Sequence, residues 1–240
     1  VPHRSGGYNL LQMAFAMIVL GLLTVGFIQI YHIYKTQQDY MKTQEGVASA
    51  VQKLQTYKQS HGYYPCPAPN VARGDLGYGS VSACDGSIAA GTCAGGICVQ
   101  ASTRGALGTI KVRVGVIPFR ELQMDEKETF DAYGSRLTYA LTEDMGKETT
   151  FNLQKGGIEI VNEAGQPLTD PPKSAAFLVL SHGPNKIGAY AALTGAQPVP
   201  CPAGTPNQLD AENCLDPAAP DPNAKFINTL RSDGTGPLFD

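Results

Sequence analysis

Six cysteines are the residues of this chain best suited to covalent chemistry: Cys66, Cys84, Cys93, Cys98, Cys201 and Cys214. All lie in segments rich in Gly, Pro and Ala. No Cys-x-x-Cys pair occurs, and no His stands at metal-ligand spacing from any of them, so zinc is a poor fit. An even count in loop-like sequence points to disulfides and an oxidising compartment. Spacing alone leaves the connectivity open. Local closure would give Cys66–Cys84, Cys93–Cys98 and Cys201–Cys214, and the last pair is remote from the other four.

Other reactive types are less persuasive. Ser181-His182-Gly183 sets a hydroxyl beside an imidazole. Neighbours on a strand face opposite sides, and a hydrolytic triad is assembled in space rather than along the chain. A strand-ending turn is the expected role. Asp125, Glu126 and Glu128 could attract a cation but are spaced as on a solvated turn. Gly105-Ala106-Leu107-Gly108 lacks the Lys-Ser/Thr that closes a phosphate loop. His61 suits the C-terminus of a helix, where the helix dipole favours a cation. The reading is therefore of a non-enzyme with no catalytic residue, metal or cofactor. Net charge is −3 and only 16% of residues are charged. Lys35, Lys42, Lys53 and Lys58 are interleaved with Gln, which reads as a solvated helix face, so no nucleic-acid partner is expected.

The element that must carry the rest begins near the N-terminus. Residues 5–34 contain no Asp, Glu, Lys or Arg, and residues 10–30 supply the roughly 20 apolar residues that span a bilayer. Signal-peptide apolar cores are shorter and precede their small-residue cleavage site; here Ala14-Phe15-Ala16 lies inside the run. A retained helix follows, with Arg4 favouring a cytoplasmic start. No Pro and only Gly46 interrupt residues 35–60, and Val47, Val51, Leu54 and Lys58 or Tyr57 recur at helical spacing. One helix over 9–60, roughly 75–80 Å long, is predicted, apolar first and amphipathic after. His61-Gly62 and Pro65 mark its stop.

Beyond it, residues 70–109 read as a disulfide-stapled irregular loop. Strands are predicted at 110–116, 137–141, 158–161 and 175–180, with Gly134 and Gly156-Gly157 as turns. Lys111, Arg113 and Gly115 alternate with Val112, Val114 and Val116, as on a half-buried strand. A short helix is allowed within 121–130, and the tail from Pro198 reads as a coil pinned by a disulfide. The expected fold class is α+β: a long N-terminal helix packed on a small, mainly antiparallel sheet with long disulfide-stapled loops.

These residues resemble the type IV pilin and pseudopilin family. Gly7 before Tyr8, after a basic start, is similar to the site cut by prepilin peptidase. Tyr8-Asn9-Leu10-Leu11 matches the aromatic, small polar, apolar, apolar opening of mature pilins. Gly21 falls at a helix-loosening glycine of the family, and Tyr31 and Tyr34 at its paired tyrosines. Downstream, Tyr64-Pro65-Cys66-Pro67-Ala68 is similar to a group of prepilin-type proteins. Asp131-Ala132-Tyr133-Gly134 and Ser181-His182-Gly183 resemble two pseudopilin turns.

The resemblance implies a leader at 1–7, a membrane and filament-core helix at 8–34, its amphipathic continuation at 35–62 and an extracytoplasmic domain at 63–240. It implies assembly with copies of the same chain. Leu10, Leu11, Gln12, Ala14, Gly21, Gly26, Tyr31 and Tyr34 would be the assembly residues, with the inner membrane, prepilin peptidase and pilus assembly machinery as earlier partners. Two positions depart from the family. Gln12 replaces a Glu held to balance a neighbour's α-amino group; an amide cannot neutralise a buried ammonium. Some minor pseudopilins share this loss, and an uncleaved leader would make the Glu unnecessary. Gln29 replaces a kinking proline, which implies a straighter helix. Pro184-Asn185-Lys186-Ile187-Gly188 lacks the carboxylates of the pseudopilin calcium site. The expected role is a pilin of a type IV pilus-like filament. The alternatives are a minor pseudopilin of a type II secretion system and a single-pass, membrane-anchored periplasmic binding protein.

Overall fold

An uninterrupted run of helix-compatible residues yields one helix. The computed structural model describes residues 10–104, 107–197, 201, 213–214 and 223–228. Its first element, α1, spans Leu10–His61, 52 residues. Lys58 and His61 lie in its last turn, where cations complement the helix dipole. Gly62 then takes φ 83°, and its N–H returns to the Lys58 carbonyl at 2.9 Å. This is the left-handed stop that His61-Gly62 suggested. Gly7 and Tyr8 lie outside the described residues.

The chain divides into two compact units, residues 1–41 and 42–240. Within 1–41 the described residues are helical throughout. In 42–240 the rest of α1 lies along an antiparallel sheet of order β1-β2-β3-β4-β6. The strands are β1 (Thr92–Ala94), β2 (Ile97–Thr103), β3 (Thr109–Val116), β4 (Thr138–Thr142) and β6 (Phe177–Leu180). A second sheet pairs β5 (Glu159–Val161) in parallel with β7 (Lys225–Ile227). The class is α+β, as expected.

Both faces of the larger sheet are covered. On one, Ala50 and Leu54 of α1, each fully buried, pack with Leu137, Tyr139, Leu141 and Met145. On the other, Ile158, Ala224 and Phe226 close over Cys98, Val112, Val114 and Ala140. Two expectations are corrected here. Residues 70–109 hold β1 and β2 as well as loops: Gly95 and Gly96, at φ 56° and 82°, turn the chain into a hairpin whose second strand is a central strand of the sheet. The tail is likewise more than coil, because β7 pairs with β5.

The reading of β3 changes as well. Arg113 is 1% exposed rather than solvated. Its Nε donates to Glu143 Oε1 at 2.9 Å, Nη2 lies 3.3 Å from Asp85 Oδ1, and Nη1 donates to the Ala83 carbonyl. Lys111 Nζ donates to the carbonyls of Gly86 and Ile88. Two cations of β3 thereby hold the loop that follows Cys84. The helix allowed within 121–130 is reduced to one 3-10 turn, Glu126–Thr129, capped by the Asp125 carboxylate.

Three disulfides join Cys66–Cys84, Cys93–Cys98 and Cys201–Cys214, the local pairing. A Cβ on Gly146 would lie 2.6 Å from the sulfurs of both Cys66 and Cys84, so only glycine lets that bridge sit where it does.

Candidate functional site

The described residues of the N-terminal helix present apolar side chains with no partner of their own unit. Phe15, Leu20, Leu22 and Phe27 are 68–72% exposed, although a soluble chain seldom leaves such side chains contiguous and open. The helix is long and apolar enough to cross a membrane by length and composition. Thr24 and Thr36 donate their hydroxyls to the carbonyls four residues earlier, so neither leaves a donor bare in an apolar medium.

Gly21 and Gly26 lie within this surface. A Cβ at either would meet nothing within 4 Å. A mid-helix glycine costs about 1 kcal/mol against alanine, and contacts within the chain do not explain either one. Gln12 and Ala14 fall in the same exposed stretch. Tyr31 and Tyr34 are 64% and 58% exposed at its far end, where Gln38 Nε2 donates to the Tyr34 hydroxyl at 2.6 Å. Lys35 and Asp39 form an ion pair one turn apart at 2.7 Å. The order along the helix is apolar surface, tyrosines, then charges, the succession of a bilayer edge.

No dyad forms at Ser181-His182. Ser181 Oγ donates to Asp131 Oδ2 at 2.9 Å and accepts from Gly183 N at 3.0 Å. His182 is buried and lies 3.0 Å by Nε2 from Thr138 Oγ1. The two turns noted separately in the sequence are thus one structure. Asp131 Oδ1 also accepts from the N–H groups of Tyr133 and Ser135. Burial raises the Asp131 pKa above its usual value, against the pull of these hydrogen bonds. Burial lowers that of His182 to about 4, offset in part by the Ile187 backbone.

The acidic trio near 126 separates. Asp125 caps its turn, and Glu126 accepts from the Tyr78 hydroxyl and pairs with Arg73 at 2.9 Å. Glu128 lines a shallow cleft of about 480 Å³ beside Gly46 of α1. Among the described residues, no group of three His, Cys, Asp or Glu could hold a metal ion. A second cleft, about 310 Å³, is walled by the Cys93–Cys98 hairpin, Asn70, Tyr190 and Gly195, largely glycine and backbone.

Two organising residues carry no local motif. Arg136 is 2% exposed; it donates to the carbonyls of Val71 and Ala192 and to Asn70 Oδ1, tying two loops to the start of β4. Asn213 bonds the backbone of Ile227. Their backbone partners lie far off in sequence or beyond any local pattern, so only the fold brings them together. The helix suits membrane insertion or a signal sequence, and the disulfides suit an oxidising compartment. Comparison with family models, curated proteins and solved structures returns no match to this chain.

Proposed function

We propose that this chain is a structural subunit of a type IV pilus-like extracellular filament. One observation carries the reading. The helix exposes nearly every large apolar side chain from Met13 to Tyr34, whereas residues 42–240 fill two cores of their own. Such a surface calls for an apolar environment, and in this reading it meets two in succession. The inner membrane would hold it first, and the same helices of neighbouring copies would bury it afterwards. Exchange of lipid for helix gains little from area burial, so close approach at Ala14, Ala16, Gly21 and Gly26 would supply specificity. Prepilin peptidase would act at Gly7–Tyr8 before the assembly machinery extracts the chain.

Gln12 favours a second reading, a minor pseudopilin of a type II secretion system, whose place in the filament spares it the charge balance of an abundant subunit. A membrane-anchored periplasmic binding protein instead requires no self-association of the helix. Electron microscopy of sheared extracellular material, with mass spectrometry of its chains, separates these. Presence of the chain in filaments supports the pilin reading; confinement to membranes sinks the abundant-subunit version. The N-terminal residue of native material tests processing directly: Tyr8 is expected, and a chain retaining residues 1–7 refutes cleavage.

A further inference from the structure

The last described strand is held on one edge by a side chain in place of a neighbouring strand. β7 pairs with β5 along one edge. On the other, Asn213 Oδ1 accepts from Ile227 N at 2.8 Å and Asn213 Nδ2 donates to the Ile227 carbonyl at 3.0 Å. The amide thus reproduces the donor and acceptor pair of a strand residue. Asn213 is buried, and its neighbour Cys214 seats its sulfur against Gly188, where a Cβ would collide with it. Cys214 is in turn tied to Cys201. The chain of restraint runs from disulfide to Asn213, to Ile227, to Ala224 and Phe226. Those two residues, 3% and 2% exposed, cover Val112, Val114 and Ala140.

We propose that the Cys201–Cys214 disulfide is a redox-sensitive clasp: its oxidation state decides whether β7 covers the second face of the sheet. The reductant is a dithiol. One of its thiolates attacks the sulfur of Cys201, which is part-exposed, while Cys214 is buried. The Cys201–Cys214 bond breaks, and Cys214 leaves as a thiolate and takes a proton. The second thiol of the reductant then displaces Cys201, which also leaves protonated. Two electrons and two protons pass to the cysteine pair, and the reductant ends as a disulfide. Cys214 is then free to leave Gly188, and Asn213 loses the anchor that aims its amide. β7 is three residues long and paired along one edge, with one further bridge beside it from Asn223 to Ala101, too little to hold it alone. Cys66 and Cys84 are both buried and resist the same reagent.

The test is hydrogen exchange on the full chain in detergent at graded dithiothreitol, with alkylation mapping which cysteines have opened. Once Cys201 and Cys214 alkylate, amides of β5 and β7 should exchange about tenfold faster or more, while β3 and β4 keep their protection. Asn213→Ala should give the same β5 and β7 exchange with all disulfides oxidised. A Cys93→Ser, Cys98→Ser double variant should respond to reductant as the wild type does. Unchanged β5 and β7 protection after full opening of Cys201–Cys214 overturns the proposal. So does loss of β3 and β4 protection in the same step, wild-type protection in Asn213→Ala, or loss of the response in the Cys93/Cys98 variant.

Discussion

Acidification from pH 7 to pH 5 should weaken the fold by about 2 kcal/mol through His182 alone. The ring is 2% exposed, and its Nδ1 has no hydrogen-bond partner among the described residues. Burial holds its pKa near 4, against 6.5 when the chain is unfolded. The unfolded state therefore binds the proton first. Stability from this group is fully present above pH 6.5 and is lost as pH falls toward 4. At about 1.4 kcal/mol per pH unit the whole effect reaches about 3 kcal/mol, of which about 2 is expressed by pH 5. Asp131 acts with the opposite sign: its raised pKa makes the folded state the stronger proton acceptor, so acid favours folding there. Asp85, with a lowered pKa, loses its contribution only as pH falls past the carboxylate range. Urea unfolding of the full chain in detergent, followed by tyrosine fluorescence, would give the pH dependence; the chain has 11 Tyr and no Trp. His182→Gln removes the titrating group while the other three histidines remain common to both proteins. Its stability should fall less than that of the wild type between pH 7 and 5, by about 2 kcal/mol. Parallel curves for the two proteins would refute the reasoning.

Leu54→Ala empties a fully buried site between α1 and the sheet and should cost about 2–5 kcal/mol in urea unfolding. Arg113→Met strands Glu143, whose side chain is 7% exposed, and should cost about 3–5 kcal/mol. Adding Glu143→Met should recover much of that loss, and a double-mutant cycle measures the coupling. Gly146→Ala drives a methyl into the Cys66–Cys84 bridge and should lower stability by roughly 1–3 kcal/mol, read from the urea midpoint. Gly21→Leu meets nothing within the chain, so the unfolding transition of residues 42–240 should be unmoved, while filament yield falls if the assembly reading holds.

Much of this architecture could be read from local pattern. The length of α1 followed from an absence of breakers, and its end from Gly62. The strands near 110, 137, 158 and 175 stood out because β-branched and aromatic residues cluster between turn signals. β2 did not, because Ile97–Thr103 ends in the small and polar run Gln-Ala-Ser-Thr, and its Cys98 is covered only when β7 arrives on that face. Arg113 shares the face of Leu141 and is buried there by Glu143 and the loop at 83–85, none of them local to it in sequence. Alternation encodes which residues share a face, whereas the fate of that face depends on distant segments. A buried charge also needs its partner, and Glu143 lies 30 residues on. The candidate surface on the helix was visible as composition. Exposure of its glycines to nothing within the chain was a three-dimensional fact.

The placement of β7 also sets a schedule. The core beneath α1 draws on residues between Val47 and Val179, so it can close while the chain is still emerging. The opposite face waits for Ala224 and Phe226, which follow every other residue of that cluster along the chain. Until then Val112, Val114 and Ala140 stand open on a sheet that is otherwise formed. A nascent chain held in that interval offers an apolar patch to any neighbour. Rapid delivery of the segment that carries β7, or a chaperone that shields the patch, would then govern the yield of correctly folded protein.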